Sequence, residues 1–67
     1  MRLRINVAGT KFARTGPNGI GVKIAFLLDK SVINDVVGED HVIVRISDVN
    51  EDDLDKIRRL GVQATIV

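Results

Sequence analysis

Gly21-Val22-Lys23-Ile24-Ala25-Phe26-Leu27-Leu28 is the stretch on which the fold turns, because this run can be read in two periods. Taken in twos, Val22, Ile24, Phe26 and Leu28 share a face with Lys23 opposite, which predicts a strand over residues 21–28. Ala25 and Leu27 make the other face partly apolar as well. A buried helix is therefore the alternative that a short apolar run leaves open.

Working upstream, Thr10 to Gly21 reads as a loop or hairpin arm. At its tip, Gly16-Pro17-Asn18-Gly19, proline presets φ and glycine accepts positive φ. Before it, Met1, Leu3, Ile5 and Val7 alternate with Arg2, Arg4, Asn6 and Ala8, the signature of a half-buried strand. Downstream, Ser31 can cap a short helix with Val32, Ile33, Val36 and Val37 on one side and Gly38 at its end. His41 to Ser47 alternates as a strand, with Val42, Val44 and Ile46 inward and His41, Ile43 and Arg45 opposite.

The last helix is the clearest element. Asn50 is a good N-cap, Val49 and Leu54 are spaced as a hydrophobic staple, and Gly61 stands where a left-handed residue ends a helix over residues 51–60. Glu51, Asp52, Asp53 and Asp55 near its start and Lys56, Arg58 and Arg59 near its end suit the helix dipole. Asp52 with Lys56 and Asp55 with Arg59 add two pairs at four-residue spacing. Val62 to Val67 closes as a strand with Val62, Ala64 and Ile66 on one side. The expectation is one α+β domain over residues 1–67 with a single sheet, in the order strand, strand, short helix, strand, helix, strand.

Composition narrows the function classes. The 67 residues include no cysteine, which removes disulfides, thiolate nucleophiles and cysteine-ligated zinc together. One histidine and no tyrosine or tryptophan leave little for acid-base chemistry or base stacking. Hydrophobic residues at 45% and charged residues at 28% are globular proportions. No apolar run approaches the ~18 residues that span a bilayer, and the alternating start is unlike a signal peptide; the expectation is a cytoplasmic protein with no membrane partner.

Candidate chemical motifs fail at their strict positions. Asp48-Val49-Asn50-Glu51-Asp52 begins like a calcium loop, but Asp53 stands where the sharp turn needs glycine and Arg59 where the bidentate glutamate belongs. Gly16, Gly19 and Gly21 before Lys23 lack the spacing of a P-loop, in which lysine directly follows the last glycine, and that of a dinucleotide fingerprint. Gly16-Pro17-Asn18-Gly19 has the form of the KH backbone clamp, but that loop joins two helices and strands are expected here. His41 beside Glu39 and Asp40 has no second ligand set spaced to join it, and neither Ser31 nor Ser47 has a base and an orienting group. No enzyme, no metal and no cofactor is expected.

Charge is the remaining signal. Arg2, Arg4, Lys11, Arg14, Lys23 and Lys30 face only Asp29 over residues 1–30, a balance of +5. Residues 31–67 carry eight acids against Arg45, Lys56, Arg58 and Arg59, a balance of −4. Such a split serves a polyanion, or pairs the two halves with each other or between copies.

Arg14-Thr15-Gly16-Pro17-Asn18-Gly19, then Val22-Lys23-Ile24, and Gly38-Glu39-Asp40-His41-Val42-Ile43-Val44-Arg45-Ile46, a pattern over residues 14–46, resemble the AbrB/MazE-type swapped-hairpin DNA-binding proteins. That resemblance implies two chains interlaced into one barrel, with Lys11, Arg14 and Lys23 at the basic positions facing DNA. The expected function is a small non-catalytic nucleic-acid-binding module, homo-oligomeric, whose basic N-terminal hairpin places Lys11, Arg14, Lys23, Arg2 and Arg4 against duplex phosphates. The rival is a protein-protein interaction module, a small inhibitor or assembly subunit, using the charge split and exposed strand edges.

Overall fold

The computed structural model describes residues 1–14 and 18–67. Its elements are β1 (Arg2–Asn6), α1 (Asn18–Leu28), β2 (Val32–Val37), β3 (His41–Ile46), α2 (Glu51–Arg58) and β4 (Gln63–Ile66). The strands form one antiparallel sheet in the order β2-β3-β1-β4. Each half of the chain is thus a strand, a helix and a strand with the other half's first strand inserted between them. This is the split β-α-β, ferredoxin-like arrangement, which hosts many unrelated functions.

The α+β class, the single sheet, and the four strands and two helices match the sequence expectation, but the second and third elements are exchanged. Residues 21–28, expected as strand, lie in α1. The buried positions explain why: Ile20, Ile24 and Leu28 recur every four residues and line one helix face, with Gly21 beside them, whereas Val22 and Phe26 face outward at 59% and 85% exposure. The hairpin arm expected before this segment is replaced by turns over residues 8–14 and then the helix; its tip at Gly16-Pro17 lies outside the described residues. Asp29, at φ 54°, ends α1 in place of the usual glycine, and the Lys30 N–H reaches back to the Ala25 carbonyl at 3.2 Å.

The short helix expected from Ser31 to Gly38 is β2. A bulge between Asn34 and Val36 deceives the sequence reading, because the extra residue Asp35 shifts the alternation. Val32 and Val37 thereby fall on one face, opposite Ile46 and Val42, while Ile33 and Val36 fall on the other, opposite Arg45 and Ile43. Apolar residues at such spacing look helical. Gly38 is no helix cap: its N–H donates to the His41 carbonyl at 2.8 Å, closing a hairpin around Glu39 and Asp40.

Both helices cover one face of the sheet. Leu3, Ile5, Val42, Val44, Ile46 and Ala64 point into this layer, where Ile20, Ile24, Leu28, Leu54 and Ile57 meet them. The fully buried side chains are all aliphatic, and each contributes ~1.5–3 kcal/mol by leaving water. α2 follows its sequence closely. Asn50 Oδ1 accepts the Asp53 N–H at 2.9 Å, and Asp53 Oδ2 accepts the Asn50 N–H at 3.3 Å, a reciprocal capping box. Gly61 takes the expected left-handed conformation at φ 95°. Of the two expected helical ion pairs, Asp52 and Lys56 meet at 3.5 Å, while Asp55 and Arg59 form none.

Lys30 joins the two halves. Its Nζ donates to the Asp48 carbonyl at 2.6 Å and to Asp53 Oδ2 at 2.8 Å, so the end of α1 holds the start of α2. The hydrogen bond from Lys30, then that from the Asn50 backbone, hold the Asp53 carboxyl below its ordinary 3.8 despite the opposing effect of burial.

Candidate nucleic-acid interface

The sheet face away from the helices is open, and the alternation of β1 sends Arg2, Arg4 and Asn6 onto it. Register supplies their neighbours. Arg2 lies opposite Arg45, Arg4 between Ile43 and Thr65, and Asn6 between His41 and Gln63. From β2 the bulged Asp35 turns onto the same face, where its Oδ2 accepts from Arg2 Nε at 3.2 Å and from Arg45 Nη2 at 3.0 Å. Three arginines thus share one face of the sheet with one aspartate, and the Arg2 and Arg45 side chains remain 49% and 60% exposed. Each keeps donors that Asp35 does not use, since a guanidinium carries five.

A second basic group gathers at the end of β1. The chain turns after Val7 through a tight set of local bonds: Ala8 N–H to Asn6 Oδ1 at 3.0 Å, Thr10 Oγ1 to the Val7 carbonyl at 2.6 Å, and Phe12 N–H to Thr10 Oγ1 at 3.2 Å. These bonds drop Phe12 into the core at 9% exposure and leave Lys11 and Arg14 outside. The Lys11 and Lys23 ammonium groups each stand 5.3 Å from the centroid of the Phe12 ring. A shallow groove runs between Lys11, Phe12, Gly19 and Lys23. The first turn of α1 contains no acid, so no carboxylate there offsets these lysines or the positive end of the helix dipole.

The five residues singled out from sequence therefore fall into two groups, Arg2 with Arg4 and Lys11 with Lys23, while Arg14 sits exposed on the turn beside Lys11. None of the five pairs with an acid of α2; Arg2 alone has an acidic partner among the described residues, on β2. Arg45 is the residue that sequence reasoning missed. Its outward position on β3 was readable, but its place beside Arg2 depends on strand register between distant segments.

His41 is half-buried against Gly38, where a side chain on the glycine would meet its ring. Among the described residues no three His, Cys, Asp or Glu side chains are grouped to hold a metal ion, and no helix is long and apolar enough to cross a membrane. The carboxylates read as the start of a calcium loop belong to the α2 N-terminus, where Asp53 is spent on the capping box and Lys30. The strand that the swapped-hairpin resemblance implies around Val22-Lys23-Ile24 is helical here. No protein-family model, curated protein or solved structure was found to match this chain.

Proposed function

We propose that this chain is a small non-catalytic nucleic-acid-binding module that contacts the phosphate backbone through its basic N-terminal segment. The observation that carries the proposal is the open sheet face, where Arg2, Arg4 and Arg45 stand together with Asp35 as the one acid. A sheet face that gathers guanidinium groups suits a polyanion, because each arginine can bond a phosphate through two parallel donors. Lys11, Arg14 and Lys23 add point charges at the end of β1. These contacts position a backbone without reading its sequence. The strands carry no phenylalanine, tyrosine or tryptophan on this face, where His41 is the one ring, so stacked single-strand recognition is disfavoured relative to a duplex.

Fluorescence anisotropy with a labelled duplex at low salt tests the proposal. For roughly four phosphate contacts, log affinity falls against log salt with a slope of about −3 to −4. Arg4→Glu with Lys11→Glu removes most of the binding. Lys56→Glu with Arg59→Glu, on and beside α2, changes it little. Absence of saturable binding, or equal losses from both pairs, removes the proposal and leaves the protein-interaction rival. That rival stands on a separate observation, the exposed Phe26 and Val22 of α1.

A further inference from the structure

We propose that the β2 edge pairs antiparallel with the β2 edge of a second copy of this chain, giving a continuous eight-stranded sheet. β2 is six residues long and carries Val32, Ile33, Val36 and Val37, with no lysine or proline to blunt it. The opposite edge, β4, has only four residues. What selects a second copy as the occupant is the symmetry of β2 itself.

An interface about a two-fold axis must be self-complementary. Leaving aside the bulged Asp35, β2 reads Val32, Ile33, Asn34, Val36, Val37, which is apolar at both ends and centred on Asn34. Facing residues in an antiparallel pair must share a face of the sheet. Val32 and Val37 both lie on the helix-covered face and Ile33 and Val36 both on the open face, so Val32 can face Val37 of the second copy and Ile33 its Val36. Without the bulge the parity would be wrong. The direction of the backbone groups agrees. Gly38 and His41 are a hydrogen-bonded pair, so by alternation through the bulge Val37, Asn34 and Val32 turn their N–H and carbonyl groups away from β3. Those are the positions that must bond across the axis, where two Asn34 residues meet.

Charge and apolar surface fit as well. Two Asp35 carboxylates would approach near the axis, but each is held by Arg2 and Arg45 of its own chain. Above β2, Gly21 lies against Asn34, and the adjoining strip of α1 carries Val22, Ala25 and Phe26. Ile33, Val36, Val37, Val22 and Phe26 are all exposed, so apolar surface lines this edge on both sides of the sheet and can contribute to the ~800 Å² that each partner of a stable complex buries.

The experiment is sedimentation equilibrium on the full chain at moderate salt without nucleic acid, so that its outcome is independent of the binding assay above. A dimer is expected at micromolar concentration. Val36→Lys and Ile33→Lys should each raise its dissociation constant by roughly tenfold or more with an unchanged circular dichroism spectrum, while Val67→Lys beyond β4 should not. In the unaltered chain, the amides of Val32, Asn34 and Val37 should exchange more slowly as protein concentration rises, a measurement that needs no variant. A monomer at about 100 µM, a dimer indifferent to Val36→Lys, or exchange at those amides that is independent of concentration overturns the proposal.

Discussion

Replacing Asn50 with alanine isolates the cap of α2. The side chain accepts one hydrogen bond, from the Asp53 N–H at 2.9 Å, and that bond alone is deleted. The return bond to Asp53 Oδ2 comes from the Asn50 backbone, and the Asn50 carbonyl still accepts from Leu54 N–H at 3.1 Å. Backbone strain does not enter, since φ −111° and ψ 178° are extended values that alanine adopts freely. The cost is therefore that of one orphaned donor. Cap substitutions span ~0.5–2 kcal/mol, and because Asp53 is a buried residue whose N–H gains little from water, a value of about 1–1.5 kcal/mol is expected. In a chain of this size each kcal/mol lowers the melting temperature by ~4–8 °C, so the midpoint should fall by roughly 5–10 °C. Thermal unfolding followed by far-ultraviolet circular dichroism reads the shift directly. Asn50→Ser, which keeps an acceptor at the same place, should recover most of it. A midpoint equal to that of the parent, or serine as harmful as alanine, would refute the reasoning.

Other perturbations have equally definite outcomes. Asp53 titrates lower in the folded chain than unfolded, so between the two values the unfolded state binds more protons and stability rises with pH; acidification below about pH 4 should erode it, and Asp53→Asn should flatten that limb in urea titrations. Asp35→Ala releases the guanidinium groups of Arg2 and Arg45, so duplex affinity should increase and its salt slope steepen by about one unit per additional phosphate held. Ile57→Ala, at a side chain with no exposure, should cost ~2–5 kcal/mol in the same unfolding assay.

Elements whose pattern is local were legible before the structure. β1 and β3 alternate without interruption, and α2 carries its own cap, dipole charges and terminal glycine. The central region was not, because exposed apolar residues blur the period. In α1, Val22 and Phe26 complete a two-residue alternation with Ile24 and Leu28, although only the latter pair is buried. In β2 the bulge has the opposite effect, giving a strand the spacing of a helix. At the candidate interface, the sequence yielded the charge asymmetry and the outward direction of Arg2 and Arg4. It could not yield Arg45 as their neighbour or Asp35 as their shared anion, since both follow from which strands pair and in what register. Phe12, within the segment read as a loop or hairpin arm, is pulled inward by the Thr10 turn, a bond pattern that residue type alone does not specify.

The central place of β1 governs the order in which the sheet can be completed. Its two neighbours arrive late, β3 as the second strand of the β2–β3 hairpin and β4 some 60 residues behind β1. At ~5–20 residues per second, a ribosome needs about 3–12 seconds to deliver that second neighbour. During this interval one side of β1 has no strand beside it, and the amides flanking Leu3 and Ile5 depend on water. Closure by β4 is then the step that ends the exposure. Thr65 and Ala64, opposite Arg4 and Ile5, are therefore positions where substitution acts on how much nascent chain is lost to aggregation as well as on the finished domain.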